Sequence, residues 1–376
     1  MVLEPIFSQN STSRGLIVGN YCHDVLMRDG MVVAETLGGA ASFISVVLDG
    51  LSIPYNLIAK VGSDFAYATN HIPIVIPTCK TTLFHAYFDS AIDTGGHQDR
   101  VLKRVFACDP IRPSDLPETG FDFGMAVGVG GEILPETLEQ MVGICNVVFV
   151  DVQALIRVFD VVDGTVKLVG LKESGFFHLL PRIGVLKASA DEALFFDVEE
   201  VRKWCCVVVT HGKDGCKVYW KDGEIEIAPF AANQVDPTGA GDSFLGGLVS
   251  GLVHGLAVPD AALLGNFFGS LTVGQVGLPR LDLKLLQIVK DEMQKRKMQG
   301  IVCNERRDDE LNFWKHPGHE QFHTSLSAAK ITPACHIQEC EWNLSSSPRV
   351  IEQGNKTNLL INSAHEGSFQ SVHGKP

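Results

Sequence analysis

The stretch of this chain richest in chemistry is Asp236-Pro237-Thr238-Gly239-Ala240-Gly241-Asp242-Ser243-Phe244. A turn at Asp236-Pro237 leads into Thr238 and three small residues that open a helix near Gly239. Glycine lets the backbone approach a ligand closely. The free N–H groups of a first helical turn, with the helix dipole, attract an anion. A phosphoryl group in transfer spreads its charge over equatorial oxygens and suits such donors. Asp242 falls in the same turn. A carboxylate there is badly placed to bind phosphate and well placed to take a proton from an attacking hydroxyl. The same residues also fit an acid that simply favours a helix N-terminus after a glycine-rich turn. The pattern alone leaves both readings open.

Composition bounds the partners. The chain has 376 residues, with 31 Lys and Arg against 44 Asp and Glu, a formal charge of −13, and 45% hydrophobic residues. That is an ordinary composition for a folded protein and excludes wholesale disorder and fibrous classes. Net acidity offers no general attraction for nucleic acid or anionic membranes. No nucleic-acid or membrane partner is expected, and phosphate binding must rest on local donors. The ten cysteines include no CxxC pair. The N-terminus has no basic segment followed by a long apolar one. Reduced thiols and a cytoplasmic location follow as expectations. Ser243–Pro259 lacks charged residues and carries Gly247, Gly251 and Gly255, a spacing found in membrane helix pairs. It falls short of a full span and is bounded by Asp242 and Asp260, so a buried core helix is expected.

The elements that must position these residues are legible as alternation. Short apolar runs predict strands over Leu16–Gly19, Asn56–Val61, Thr81–Tyr87, Phe123–Val127, Val147–Asp151, Ile183–Leu186, Cys206–Thr210, Cys216–Trp220 and Glu224–Ile227. Helices are expected to start near Gly39, Pro135, Asp191, Gly239 and Pro259, and a last one covers Leu283–Lys297, with Leu285, Val289 and Met293 on one face. Strand–helix alternation over residues 1–300 implies one α/β unit, a mostly parallel sheet covered on both faces, with ligands beyond the C-terminal strand ends. Lys80–Arg104 alternates differently, with a Gly95-Gly96 turn. It reads either as a small antiparallel flap over a substrate or as an ordinary edge hairpin. Residues 301–376 are poorer in apolar residues and show no long periodic segment, which predicts a poorly structured tail. Its Cys and His spacings match no standard zinc site.

The Asp236–Phe244 stretch resembles the C-terminal signature of the ribokinase-like (PfkB) carbohydrate kinases, whose usual form has Thr where this chain has Pro237. The resemblance covers about residues 15–298. It implies a three-layer α/β/α fold with a mostly parallel central sheet and a small antiparallel β lid, the lid segments near 15–36 and 80–106. It implies Asp242 as catalytic base and the Gly239, Ala240 and Gly241 amides as an anion hole. Gly19-Asn20 with Asp24, and Leu37-Gly38-Gly39-Ala40-Ala41, resemble the acceptor side, so Asp24, Gly38 and Gly39 are implied contacts of a small polyol. The family's following Asn is replaced by Ser42-Phe43. Ser189-Ala190-Asp191-Glu192 resembles an N-x-x-E motif with Ser189 in place of Asn; Glu192 would organise Mg²⁺, mostly through water. Val207–Gly215 resembles the family's turn after a sheet strand. Thr210, Gly212, Gly215 and, one helix later, Asn266 are the implied nucleotide contacts. A K⁺ ion near Asp236 is a further implication.

The resemblance thus implies transfer of the γ-phosphoryl group of ATP to an alcohol. Blocks such as Gly19–Asp24, Gly38–Asp64 and Val148–Ala154 look nearest to the plant myo-inositol kinase branch. The alternatives are another sugar or nucleoside kinase of the family, or a silent relative acting as a scaffold. Oligomeric state, monomer or homodimer, is open. Asp122-Phe123-Gly124 spells the protein-kinase DFG, but no H-R-D or V-A-I-K accompanies it, and it reads as strand entry. No G-x-G-x-x-G follows the first strand, which speaks against a dinucleotide oxidoreductase.

Overall fold

The computed structural model describes residues 14–88, 100–303 and 313–331, with strands β1–β16 and helices α1–α8 numbered in chain order. The main sheet holds β1 (Gly15–Val18), β4 (Tyr55–Ile58), β9 (Phe121–Ala126), β10 (Cys145–Asp151), β13 (Val185–Ser189), β14 (Cys206–Thr210), β15 (Cys216–Trp220) and β16 (Gly223–Ile227). Their spatial order is β16-β15-β14-β13-β10-β9-β1-β4. Pairing is parallel from β4 to β14 and antiparallel for the two edge pairs that end in β16.

Successive side chains of a strand point to opposite faces, and both faces here are apolar. Ile17, Val147, Phe149 and Val208 enter one core, which they share with α1 (Ala40–Gly50), α5 (Ala240–Val253), α6 (Val258–Thr272), α7 (Leu283–Cys303) and α8 (His319–Ile331). Leu16, Val18, Val148, Val150 and Val207 enter the other, with α2 (Pro135–Ile144), α3 (Gln153–Ile156) and α4 (Val198–Val201). The result is the expected three-layer α/β/α arrangement.

The charge-free run after Asp242 is the buried helix α5. A methyl group on Gly247 would lie 2.8 Å from the Leu264 carbonyl of α6, so the small residues serve close packing of two core helices. Among the described residues no helix is long and apolar enough to cross a membrane.

A second sheet of order β3-β2-β7-β8 joins β2 (Cys22–Arg28), β3 (Met31–Gly38), β7 (Thr82–Phe88) and β8 (Arg100–Phe106). This is the expected small lid: its outer pairs β2–β3 and β7–β8 are antiparallel, and its central β2–β7 pair is parallel. In the chain β2 follows β1, and β7 follows a separate two-stranded pair, β5 (Lys60–Gly62) and β6 (Ile74–Ile76). Residues 15–18 belong to the main sheet, not to the lid. The Gly95-Gly96 turn lies outside the described residues. A hairpin of β11 (Arg157–Phe159) and β12 (Val166–Leu168) abuts β8, where Arg104 N donates to Gly164 O at 2.9 Å.

Three further expectations change. The strand predicted over Asn56–Val61 breaks after Ile58, because Lys60 N turns to Asn20 Oδ1 at 2.7 Å. The helix predicted near Asp191 is only a 3₁₀ turn, Glu192–Phe195, followed by the four-residue α4 with its own Asp197 cap. The predicted poorly structured tail is corrected for residues 313–331. Phe322 and Leu326 of α8 are buried, and Asp260 of α6 joins Arg296 Nε at 2.7 Å to His319 Nδ1 at 2.6 Å. The apolar positions that anchor α8 are too few for periodicity to announce it.

Candidate active site

The site is built at the N-terminus of α5. Gly239 takes φ 75°, a left-handed value that β-carbon residues resist. A methyl group there would also run into the ring of Phe43, four residues past the Gly39 that starts α1. Phe43, the departure from the expected Asn, thus joins the two glycine-rich segments. No side chain caps α5, and Ala240 N, at its start, donates to Pro237 O at 3.3 Å.

Asp242, three residues past Gly239, is partly exposed. Its Oδ1 accepts from Gln153 Nε2 at 3.0 Å, and the same nitrogen donates to Asp151 Oδ2 at 3.1 Å. Lys187 Nζ donates to Asp151 Oδ2 at 2.9 Å. Burial raises the Asp242 carboxyl above the ordinary carboxylate range, against the opposing pull of Lys187, Arg157 and the Gln153 hydrogen bond. Burial likewise pushes Asp151 up to about 6, with Lys187 opposing and Glu192 and Asp242 adding to the rise. For Lys187 burial pulls downward, but Asp151, Glu192 and Asp242 outweigh it and hold the ammonium above its usual value. Three carboxylates therefore surround two cations at the C-terminal ends of β10 and β13, where the topology places ligands.

Glu192 is buried, and burial would raise it, but Lys187 and Arg157 hold it below its ordinary value. Its Oε2 accepts from Ser189 N at 2.9 Å, while Ser189 Oγ accepts from Glu192 N at 3.2 Å. Ser189, in the expected Asn position, closes a reciprocal cap. Arg157 Nη2 stands 3.9 Å from Glu192 Oε1. Asp236 is 3% exposed; its Oδ1 accepts from Thr238 N at 2.9 Å, and its Oδ2 has no hydrogen-bond partner among the described residues.

On the acceptor side, Asp24 of β2 lies against Gly38 at the end of β3, so closely that a methyl group on Gly38 would overlap its carboxyl. Gly39 follows as the N-cap of α1 with φ 87°. The neighbouring Asn20 is engaged elsewhere. Its N donates to the buried Glu132 Oε1 at 2.9 Å.

The four expected nucleotide contacts gather at the β14–β16 edge. Thr210 ends β14, and Gly212 begins an open turn with φ 55°. Gly215 and Asn266 are held by the fold itself. A methyl group on Gly215 would strike Ile227 O, and Asn266 Nδ2 donates to Ile227 O at 3.2 Å and Ala228 O at 2.9 Å. The Asn266 amide is thereby occupied at the end of β16.

Sequence reasoning missed Asp151, Gln153, Arg157 and Lys187 as members of the site. A signal existed: Lys187 interrupts the apolar run Val185-Leu186-Lys187-Ala188, and a lysine is almost never buried without a partner.

Comparison with known proteins adds to this geometry. The pattern of the pfkB family carbohydrate kinases matches residues 174–281. The chain is 65% identical over 319 residues to an inositol 3-kinase of Arabidopsis thaliana, covering 85% of this chain and 88% of that protein. It is 49% identical over 344 residues to an inositol 3-kinase of Oryza sativa subsp. japonica, covering 89% and 85%. Among solved structures, a pyrophosphate-dependent kinase in the ribokinase family, complexed with a pyrophosphate analogue and myo-inositol, superposes with a TM-score of 0.59 at 17% identity over 71% of this chain and 97% of that one.

Proposed function

The chain belongs to the pfkB family of carbohydrate kinases, and from that premise we propose that it transfers the γ-phosphoryl group of Mg·ATP to a hydroxyl of myo-inositol. It is a phosphotransferase with an alcohol as acceptor. The observation that carries the specific reading is the Asp242 carboxylate, three residues past an uncapped, left-handed glycine and tethered by Gln153.

In this reading the polyol lies against Gly38 and Gly39, and Asp24 accepts its vicinal hydroxyl hydrogens. Asp242 takes the proton of the attacking hydroxyl. The Gly239, Ala240 and Gly241 amides face the charge that develops on the transferred group. Thr210 and Gly212 flank the nucleotide phosphates. Gly215 and Asn266 lie beside them as further nucleotide contacts, with the Asn266 amide nitrogen also holding the end of β16.

The donor set suits the expected ions. Among the described residues no three His, Cys, Asp or Glu side chains are grouped to hold a metal by themselves. Magnesium keeps several waters and takes one or two carboxylates plus substrate phosphates, which suits Glu192 as a carboxylate acting largely through water. Bound there, the ion would neutralise charge on the donor's terminal phosphates. Asp236, with a buried oxygen lacking a partner, would hold a potassium ion.

The test is product release from myo-inositol, ribose, fructose and adenosine, with ATP or pyrophosphate as donor, using wild type and Asp242→Asn. ADP formation strongest with myo-inositol is expected. Turnover only on another acceptor, or only with pyrophosphate, overturns the substrate assignment. Unchanged turnover in the Asn variant removes Asp242 as base.

A further inference from the structure

The Lys187–Asp151 pair has no part in the transfer as described above, yet it is an expensive feature of the sheet. Lys187 and Asp151 are 4% and 0% exposed, on neighbouring parallel strands with Asp151 paired to Lys187 in register. A buried ion pair is rarely more stable than apolar residues of the same volume. Two β-branched residues here would close the gap between two cores equally well. A positional role explains the pair better than stability does.

The geometry supplies that role. Asp151 Oδ2 takes Lys187 Nζ at 2.9 Å and Gln153 Nε2 at 3.1 Å, and the Gln153 backbone N reaches Asp151 Oδ1 at 3.3 Å. A glutamine amide carries two hydrogens. One is spent on Asp151 and the other on Asp242 Oδ1 at 3.0 Å. Turning the amide over would set its carbonyl oxygen against two carboxylates, so the two acceptors fix its orientation. On its other side the ammonium lies under the first turn of α5, where a methyl group on Gly241 would come within 2.8 Å of Nζ.

We propose that Lys187 and Asp151 are positioning residues for phosphoryl transfer: through Gln153 they hold the Asp242 carboxylate in one orientation, and the Lys187 ammonium adds positive charge beneath the Gly239–Gly241 amides. The inference rests on Asp242 being the base. Five groups act on that carboxylate. Lys187 of β13, Arg157 of β11 and the Gln153 amide of α3 favour its ionised form; Glu192, in the turn after β13, and Asp151 of β10 disfavour it. Removing the lysine charge and removing the aspartate charge must therefore push Asp242 in opposite directions.

The experiment measures kcat and KM for myo-inositol and for ATP from about pH 5 to about pH 9 in Gln153→Leu, Lys187→Met, Asp151→Asn and the double variant Asp151→Asn/Lys187→Met. Gln153→Leu is expected to lower kcat by about 10- to 100-fold with both KM values within about threefold. The acid limb of kcat should move up by about one pH unit in Lys187→Met and down in Asp151→Asn. The double variant, which leaves no unpaired buried charge, should keep the limb above wild type and provides the reading if Lys187→Met does not fold. A purely structural pair would change the yield of folded enzyme and leave the limb where it was. Limbs unmoved or moved the same way in both single variants, or full kcat in Gln153→Leu, overturn the inference. Asp242→Asn run alongside separates that outcome from failure of the base assignment itself.

Discussion

Helices α1 and α5 both begin on a glycine with left-handed backbone, Gly39 at φ 87° and Gly239 at φ 75°, and neither start is closed by a side-chain cap. In each, one first-turn N–H is taken by backbone, Ser42 N by Gly39 O at 3.0 Å and Ala240 N by Pro237 O at 3.3 Å, and no side chain caps the others. Three residues on, the two differ. Ser42 of α1 turns its hydroxyl back to Gly39 O at 2.7 Å. Asp242 of α5 is held outward by Gln153 at 3.0 Å. Behind α1 lies apolar packing, with Phe43 covering Gly239; behind α5 lies the Lys187–Asp151 pair. In the proposed reading the same local start would serve as a passive surface for a polyol in one case and as a reactive end in the other. Buried charge placed by distant strands makes the difference, not the helix terminus.

The comparison can be broken most directly at the matched third position. Asp242→Asn should cut kcat by about 10³-fold, the range of a lost general base, while Ser42→Ala at the equivalent place changes it by no more than about threefold. Steady-state kinetics decides, and equal losses would erase the distinction between the two starts.

The glycines themselves give the next largest effect. Gly239→Ala forces strain and a collision with Phe43, and should lower kcat by about 10- to 100-fold. Gly39→Ala pushes against the Asn20 carbonyl instead, so its loss should fall mainly on KM for the polyol. A kcat loss in both would mean that α1 shares in the transfer step.

Acidity sharpens the contrast further. Burial holds the Asp242 carboxyl above the ordinary range, so its ionised fraction falls as pH drops through that raised value. Below the limb, kcat should fall about tenfold per pH unit. The first turn of α1 carries no titrating group, so the acid limb should persist in Ser42→Ala and vanish from the residual turnover of Asp242→Asn. A limb retained in Asp242→Asn would place the titrating group elsewhere.

Much of this was open to reading in the chain itself. The strands of the main sheet, the starts of α1, α2, α5 and α6, and the segment Asp236–Asp242 follow from local rules: apolar runs at strand period, glycine where the backbone turns left-handed, an acid in a first helical turn. Those rules act over a few residues, so a single sequence carries them. The tertiary structure alone decided the rest. The parallel β2–β7 pair joins strands far apart in the chain, Cys22 against Thr82. Asn266 turns toward the end of β16 because two carbonyls there need a donor. Helix α8 forms because Phe322, Leu326 and His319 find a prepared face with Asp260 on it. Gln153 meets Asp242 across 89 positions of chain, and Lys187 meets Asp151 across 36. A desolvated charge acquires its partner only when the chain closes around it, and local patterning holds no record of such distant contacts.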